Sequence, residues 1–393
     1  MPRPDVTLDT PPARDPRSAV VIGTGVAGAA VADALARRGT NVTVLERHHA
    51  PATGASGNAA AVVRPFLARA ERDPLARFYS DAARFAFDRL DPLLRSRSHA
   101  IALGKGALWV HPRAAELHPQ GHRTQALDSV QTASVLGQPA APGAWLPDAI
   151  NLSPAQLCRH WLDHPRIDTR FGQEVGDVEC DPDGCTVRDR TGRTLAQAGV
   201  VIVACGPALP QLLPRLLPAP TDSPGGLHRT QGLSAALRGD AGLRAALLAP
   251  QAITPTDDGV VINTGHWREP LTLPQALATL QRPPWLESLH LVTARLASRL
   301  HTPDRLPLVG AVPDVDASLN GFEPLRRGEP PSAPAVYQSN HYVIGALGGR
   351  GVTAALWAGE QLARAIHGES DGLQALHPLR FWVRALRRGV RPT

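Results

Sequence analysis

The feature that most constrains this chain lies near its N-terminus. Ser18-Ala-Val-Val-Ile22 is a short apolar, β-branched run of the buried-strand type. Gly23-Thr-Gly25-Val-Ala-Gly28 follows at once, and an Ala-, Leu- and Val-rich helix then runs to Arg38. Gly39 caps that helix, and Asn41-Val-Thr-Val-Leu-Glu46 is the next strand. A GxGxxG run is weak evidence alone; here it sits between a strand and a helix in a complete βαβ unit. Gly23 permits the tight turn, Gly25 lets a pyrophosphate approach the backbone, and Gly28 lets the helix pack closely on the strand. The helix N-terminus offers free amides and a positive dipole end to that pyrophosphate. Glu46, 18 residues past Gly28, suits a pair of ribose hydroxyls and would repel a 2′-phosphate. The unit therefore suits NAD or FAD rather than NADP.

At 393 residues the chain has room for two domains. Hydrophobic residues at 43% and charged residues at 19% are globular proportions, which exclude a disordered chain. No apolar run approaches the roughly 18 residues needed to span a bilayer. Residues 1–17 read as neither signal peptide nor anchor. A cytoplasmic protein without a membrane partner is expected.

The net charge of +6 is too small for a histone-like or coating protein. Lys105 is the sole lysine among 41 cations, and with 38 prolines and 35 glycines this arginine bias points to GC-rich coding. Position matters more than number: residues 374–393 carry five arginines and no acid. Arg380, Arg384, Arg387 and Arg388 are spaced to share one helix face. Such a face suits a phosphate backbone, or is an ordinary solvated basic surface.

Four cysteines are too few for a disulfide scaffold. Cys180 and Cys185 flank Asp181-Pro182-Asp183-Gly184, a hairpin turn, and are expected as two thiols on neighbouring strands. His160 and His164 have helical spacing but no third ligand nearby, so no metal site is expected.

Further along, Gly54-Ala-Ser-Gly-Asn58 is a loop of small residues able to pass close to a ring system. Helical patterning spans 74–94, with Phe78, Tyr79, Phe85 and Phe87 as core, and 109–145 reads as strand-rich. Ser153, Pro154 and Gln156 open a helix as cap, first-turn proline and capping box. Residues 167–187 read as strand, hairpin and strand, 200–206 as a buried strand, and 227–299 as antiparallel. The prolines of 207–224 mark a crossing between domains. The strand at 341–347 turns through Gly348-Gly-Arg-Gly-Val-Thr353 into a helix, a second N-terminus for a negative group.

Together these segments resemble the FAD-dependent amine oxidases of the D-amino-acid oxidase superfamily, which includes glycine and sarcosine oxidases. More closely, they resemble the C-terminal oxidoreductase domain of the bifunctional tRNA 5-methylaminomethyl-2-thiouridine biosynthesis proteins. The closer likeness rests on Gly54–Asn58 (GASGN), Thr302–Asp314 (TPDRLPLVGAVPD), Leu347–Thr353 (LGGRGVT) and Pro378–Gly389 (PLRFWVRALRRG). It covers 18–389, and the last three motifs in this order are specific. Where the family usually has a glycine three residues past the asparagine, this chain has Ala61.

The resemblance implies an α/β fold: a Rossmann-type FAD-binding domain of discontinuous segments 18–97, 151–222 and 300–366, with an antiparallel β-sheet substrate domain of 98–150 and 223–299. A flexible tail (1–17) and a basic C-terminal helix and tail (367–393) complete it. It implies FAD as cofactor, contacted by Gly23, Gly25, Ala27, Gly28, Glu46, Arg47, Ala55, Ser56, Asn58, Val175, Ala204, Gly206, Gly348, Gly349, Arg350, Gly351, Val352 and Thr353. The reaction implied is oxidative removal of the carboxymethyl group from 5-carboxymethylaminomethyl-uridine at the tRNA wobble position. That yields 5-aminomethyl-uridine and glyoxylate, with molecular oxygen as electron acceptor. The family's bifunctional members carry a methyltransferase domain ahead of the oxidase. Met1 points to a stand-alone oxidase here, with any methyltransferase a separate partner.

Oxidation of a glycine unit needs a fixed carboxylate and an α-carbon held over the flavin. Arginine's planar fork suits the carboxylate. By alignment with glycine oxidases Arg299 takes that place, while Arg229 and Arg350 are the further candidates; no general base is nominated. The C-terminal arginines would bind tRNA. Two alternatives stay open: a small-molecule oxidase of glycine, sarcosine or a D-amino acid, and a flavin-bound RNA-binding protein without turnover.

Overall fold

The structure, a computed structural model, describes residues 6–67, 73–96, 101–111, 116, 121–223, 225–369 and 372–389. Parts of the expected tails (1–5 and 390–393, with Arg391) and of the expected 97/98 domain boundary (97–100) lie outside the described residues.

The first strand, Ser18–Ile22, lies inside a six-stranded sheet. The spatial order is Leu308–Pro313, Tyr337–Gly345, Val200–Val203, Ser18–Ile22, Asn41–Glu46 and Ile167–Phe171. All neighbours pair in parallel except Leu308–Pro313 with Tyr337–Gly345. Strand alternation decides what each face buries. Ala19, Val21, Val42, Val44, Val200 and Ile202 face helices Val26–Arg37, Pro154–Leu162 and Gly351–Ile366. Val20, Ile22, Val201 and Val203 face the other way, onto a core shared with Cys185 and Val187. Those two belong to a three-stranded sheet of Val175–Asp181, Gly184–Asp189 and Thr194–Ala198. Buried on both faces, the parallel strands can be continuously apolar, as their sequences are.

A nine-stranded sheet forms the second body. Its order is His290–His301, His228–Arg238, Gly259–Trp267, Ala252–Thr256, Ala246–Leu248, Ala102–Trp109, Gly143–Leu152 and Ala61–Val63, with Gln125–Leu127 also on Gly143–Leu152. Pairing is antiparallel except between Ala246–Leu248 and Ala102–Trp109.

Four local expectations need correction. The stretch 109–145, expected strand-rich, contains the helix Ser129–Leu136, started by a reciprocal capping box between Asp128 and Gln131. Cys180 and Cys185, expected as separate thiols, are disulfide-bonded across the hairpin that pairs them directly. At the helix Pro154–Leu162, Ser153 caps Gln156 N at 3.4 Å, but the reciprocal glutamine contact is not formed. Residues 6–17, expected as flexible tail, lie on the body: Leu8 is buried, Ala13 N donates to Ile366 O at 3.0 Å and Tyr342 Oη to Pro11 O at 2.8 Å. Among the described residues no helix is long and apolar enough to cross a membrane.

Candidate active site

The site grows from the turn after the first strand. Gly23 has φ +109°, and a Cβ there would meet Ala204 O at 2.8 Å. A Cβ on Gly28 would fall 1.8 Å from Gly23 O, so only glycine lets the helix start against the strand. Ser56 Oγ accepts from Val26 N at 2.9 Å, in front of the first helical turn. The buried Glu46 carboxylate accepts from Thr24 N at 3.0 Å, Thr24 Oγ at 2.6 Å and His48 N at 3.0 Å. Thr24 thus locks the carboxylate at the strand end, while a carboxylate's two oxygens keep capacity for further donors.

Between this turn and the nine-stranded sheet lies a cavity of about 480 Å³, within the usual size range of ligand pockets. Every cofactor position expected from the sequence lines it except Gly28, which packs beneath. Asn58 and Asn263 tie the two walls together: Asn58 Nδ2 donates to Asn263 Oδ1 at 3.2 Å, and Asn263 Nδ2 to Ala60 O at 3.0 Å. Ala61 lines the cavity from within a regular strand and has no positive φ, so its backbone does not call for glycine.

The candidate arginines separate. Arg299 and Arg350 line the cavity, whereas Arg229 is exposed and does not. The expectation for Arg229 is corrected: adjacent residues of the strand His228–Arg238 point to opposite faces, and Thr230, not Arg229, is buried next to His301. The Arg299 guanidinium lies against Gly232, where a Cβ would come within 2.7 Å of it. Burial lowers the pKa of Arg299, and no acid offsets it. Arg350 stacks on Phe66 at 4.4 Å and Tyr79 at 5.3 Å.

Sequence reading overlooked Arg64, which stands over Trp109 at 5.4 Å inside the same cavity. Burial, and secondarily the Arg350 charge, push its pKa down to about 9. The available signal was a cation closing the apolar run 59–63, a place for a partnered or ligand-binding charge. Among the described residues Arg64, Arg299 and Arg350 form no salt bridge, and the two acids of the cavity are engaged elsewhere: Glu46 as above, Glu174 with Arg190. His266 also lines the cavity, and burial followed by the Arg299 charge lowers its pKa, so the imidazole is neutral at pH 7.

The basic face expected at the C-terminus is not assembled. The helix is only Arg380–Leu386, and Arg380 is buried. Its guanidinium donates to Asp304 through Nε and Nη2, both at 3.0 Å, and Arg384 Nη1 joins at 2.6 Å. Trp382, Val383 and Leu386 pack with Leu8, Phe322 and Leu325. The acid that pairs with Arg380 lies 76 residues earlier in the chain, outside any local window. Of the four arginines only Arg384 and Arg388 are exposed.

A glycine turn, a carboxylate at the second strand end and a joined cavity are the parts of a dinucleotide site, and one family model settles which kind. The model of the FAD dependent oxidoreductases (DAO) matches residues 18–365. The chain belongs to this family. It is an FAD-dependent oxidoreductase by that membership, and it is similar over nearly its whole length to the tRNA 5-methylaminomethyl-2-thiouridine biosynthesis bifunctional proteins MnmC. That of Aeromonas hydrophila is 31% identical over 94% of this chain and 60% of its own length. That of Thiobacillus denitrificans is 31% identical over 93% and 60%. The chain thus spans about 60% of these relatives. Among solved structures, glycine oxidase from Geobacillus kaustophilus superposes with a TM-score of 0.69 at 19% identity, over 92% of this chain and 98% of that one. Iminodiacetate oxidase from Chelativorans sp. BNC1 gives 0.70 at 19%, over the same shares. These two likenesses establish the fold.

Proposed function

We propose that the chain is an FAD-dependent amine oxidase that removes the carboxymethyl group from 5-carboxymethylaminomethyl-(2-thio)uridine at the tRNA wobble position. The observation that carries the amine-oxidase part is Arg299: a half-buried guanidinium with no acid partner among the described residues, opening on the same cavity as the dinucleotide turn. The tRNA part draws its support from the names of the relatives, matched over most of this chain.

The residues fit FAD. Glu46 would take the ribose hydroxyls and the helix start at Gly25–Val26 the pyrophosphate, while the glycine turn before Gly351–Ile366 would border the ring system. Bound there, FAD would supply the two-electron oxidation of the substrate's Cα–N bond, with oxygen as the final acceptor. Arg299 holds the carboxylate in two hydrogen bonds and fixes the α-carbon. His266 lines the same cavity, and its lowered pKa keeps a further positive charge away from the substrate amine. The resulting C=N bond adds water and breaks to glyoxylate and the 5-aminomethyl-uridine.

One observation favours a second reading. Asp304 holds two of the four arginines expected to bind RNA, Arg380 and Arg384, which supports a free amino acid such as glycine or sarcosine as substrate. Nucleoside mass spectrometry of hypomodified tRNA, before and after incubation with the flavin-loaded protein, separates the two. Conversion to 5-aminomethyl-uridine with stoichiometric glyoxylate is expected. Unchanged tRNA, with brisk turnover of a free amino acid, would overturn the tRNA reading.

A further inference from the structure

Four arginines line the cavity; with the exposed Arg47 beside the Glu46 carboxylate left to the cofactor and Arg299 assigned to the substrate carboxylate, Arg64 and Arg350 remain. Arg64 directly follows the strand Ala61–Val63, so it belongs to the nine-stranded-sheet wall rather than to the dinucleotide turn. Its guanidinium donates to the Pro65 carbonyl at 3.3 Å and stands over the Trp109 ring. Arg350 rests on Phe66, two residues from Arg64, and its Nε is buried with no hydrogen-bond partner. Aromatic faces attract guanidinium groups but do not neutralise them. Two half-buried cations lining one cavity, neither salt-bridged among the described residues and with the Arg350 charge disfavouring that of Arg64, are a costly arrangement. A ligand that brings a second negative group removes that cost.

We propose that Arg64 and Arg350 form a second anion subsite, so that the cavity selects amines carrying two anionic groups: one carboxylate on Arg299, and a further carboxylate or phosphate on the Arg64–Arg350 pair. This rests on the Arg299 clamp proposed above. On a nucleotide substrate the second group is a phosphate; on a small amine it is a second carboxylate.

Equilibrium binding to the flavin-loaded protein, read by tryptophan fluorescence and calorimetry, tests this with non-oxidisable thioether probes. The three probes are methylthioacetate with one carboxylate, thiodiacetate with two, and (phosphonomethylthio)acetate with a carboxylate and a phosphonate. At least one dianion should bind about ten-fold or more tightly than the monoanion, as a bidentate charge-assisted pair would provide. The stronger of the two dianions identifies the carboxylate or phosphate source. Arg64→Gln should abolish the advantage and change monoanion binding by less than about two-fold. Equal affinity of the wild-type protein for all three probes overturns the proposal without any variant, and so does an advantage that survives Arg64→Gln. Arg299→Gln tests the clamp separately. If the monoanion still binds that variant while Arg64→Gln still erases the dianion advantage, the clamp is wrong and the second subsite stands.

Discussion

At the cavity, Arg64, Arg299 and Arg350 are half-buried and form no salt bridge among the described residues; at the C-terminus, Arg380 and Arg384 converge on Asp304. The two regions use the same side chain to opposite ends. Around Asp304 the opposite charges satisfy one another within the chain, so the arrangement contributes to holding the C-terminal helix on the body. Around the cavity the charge has no such answer among the described residues, which suits an anionic ligand and weighs against the ligand-free fold.

Breaking the internal set should have the largest effect. Asp304→Asn leaves the buried Arg380 guanidinium without a counter-charge, and a stability loss of roughly 3–5 kcal/mol is expected by chemical denaturation. Arg384→Gln, at the half-exposed end of the same network, should cost less than about 1 kcal/mol. A loss below that for Asp304→Asn would erase the contrast. Burial raises the Asp304 pKa, but its bonds to Arg380 and Arg384 outweigh this and bring it to about 2 from 3.8. Its contribution is therefore present above about pH 4 and lost as the pH falls toward 2.

At the cavity the signs should reverse. Arg299→Lys keeps the charge but loses the fork, and kcat/KM should fall by about 2–3 kcal/mol, or roughly 30- to 150-fold, with flavin content unchanged. Arg299→Met should abolish turnover yet unfold at the same or a higher denaturant concentration, since it removes a half-buried cation that no salt bridge answers among the described residues. A clear loss of stability in that variant would place Arg299 with the structural arginines.

Acid should act on both regions more gently. Burial holds His301, beside the cavity, down to about 4, and His377, beside the C-terminal helix, down to about 3, from 6.5. The unfolded chain takes up these protons first, so stability present above pH 6.5 declines as the pH falls toward 4. The slope should be on the order of 1 kcal/mol per pH unit per histidine. Glutamine at either position should remove about one proton from the slope of stability against pH; an unchanged slope would contradict the buried, neutral state.

The smallest effect is expected where the sequence suggested the largest. With Arg380 and Arg384 engaged by Asp304, Arg388→Gln should lower the log–log salt dependence of any tRNA binding by no more than about 0.7–0.9 of a unit. A drop of several units on changing Arg384, Arg387 and Arg388 together would mean that the helix releases its arginines to RNA.

Local patterns were legible wherever a few neighbouring residues suffice. The βαβ unit, the hairpin at 181–184, the Ser153 cap and the strand-to-helix turn at 348–353 all read directly from spacing and turn chemistry. Arg64 was passed over because an arginine ending an apolar run looks the same whether it faces solvent or a cavity. The short strand Ala61–Val63 was likewise assigned to the flavin segment, since its pairing with Gly143–Leu152 depends on residues more than eighty positions away.

By itself, then, the sequence determined the dinucleotide turn, the carboxylate at the end of the second strand, the alternation of strands and helices, and a family resemblance carried by its motifs. Each depends on periodicity, backbone sterics or contiguous residue types, which are local properties of a chain. Only the tertiary structure decided which arginines keep their charge for a ligand and which spend it internally. That depends on whether a carboxylate arrives from a distant segment, as Asp304 does at Arg380 and as none does at Arg64 or Arg299 among the described residues. Charge interactions act through space, and the distances that set them exist only once the sheets have closed around the cavity.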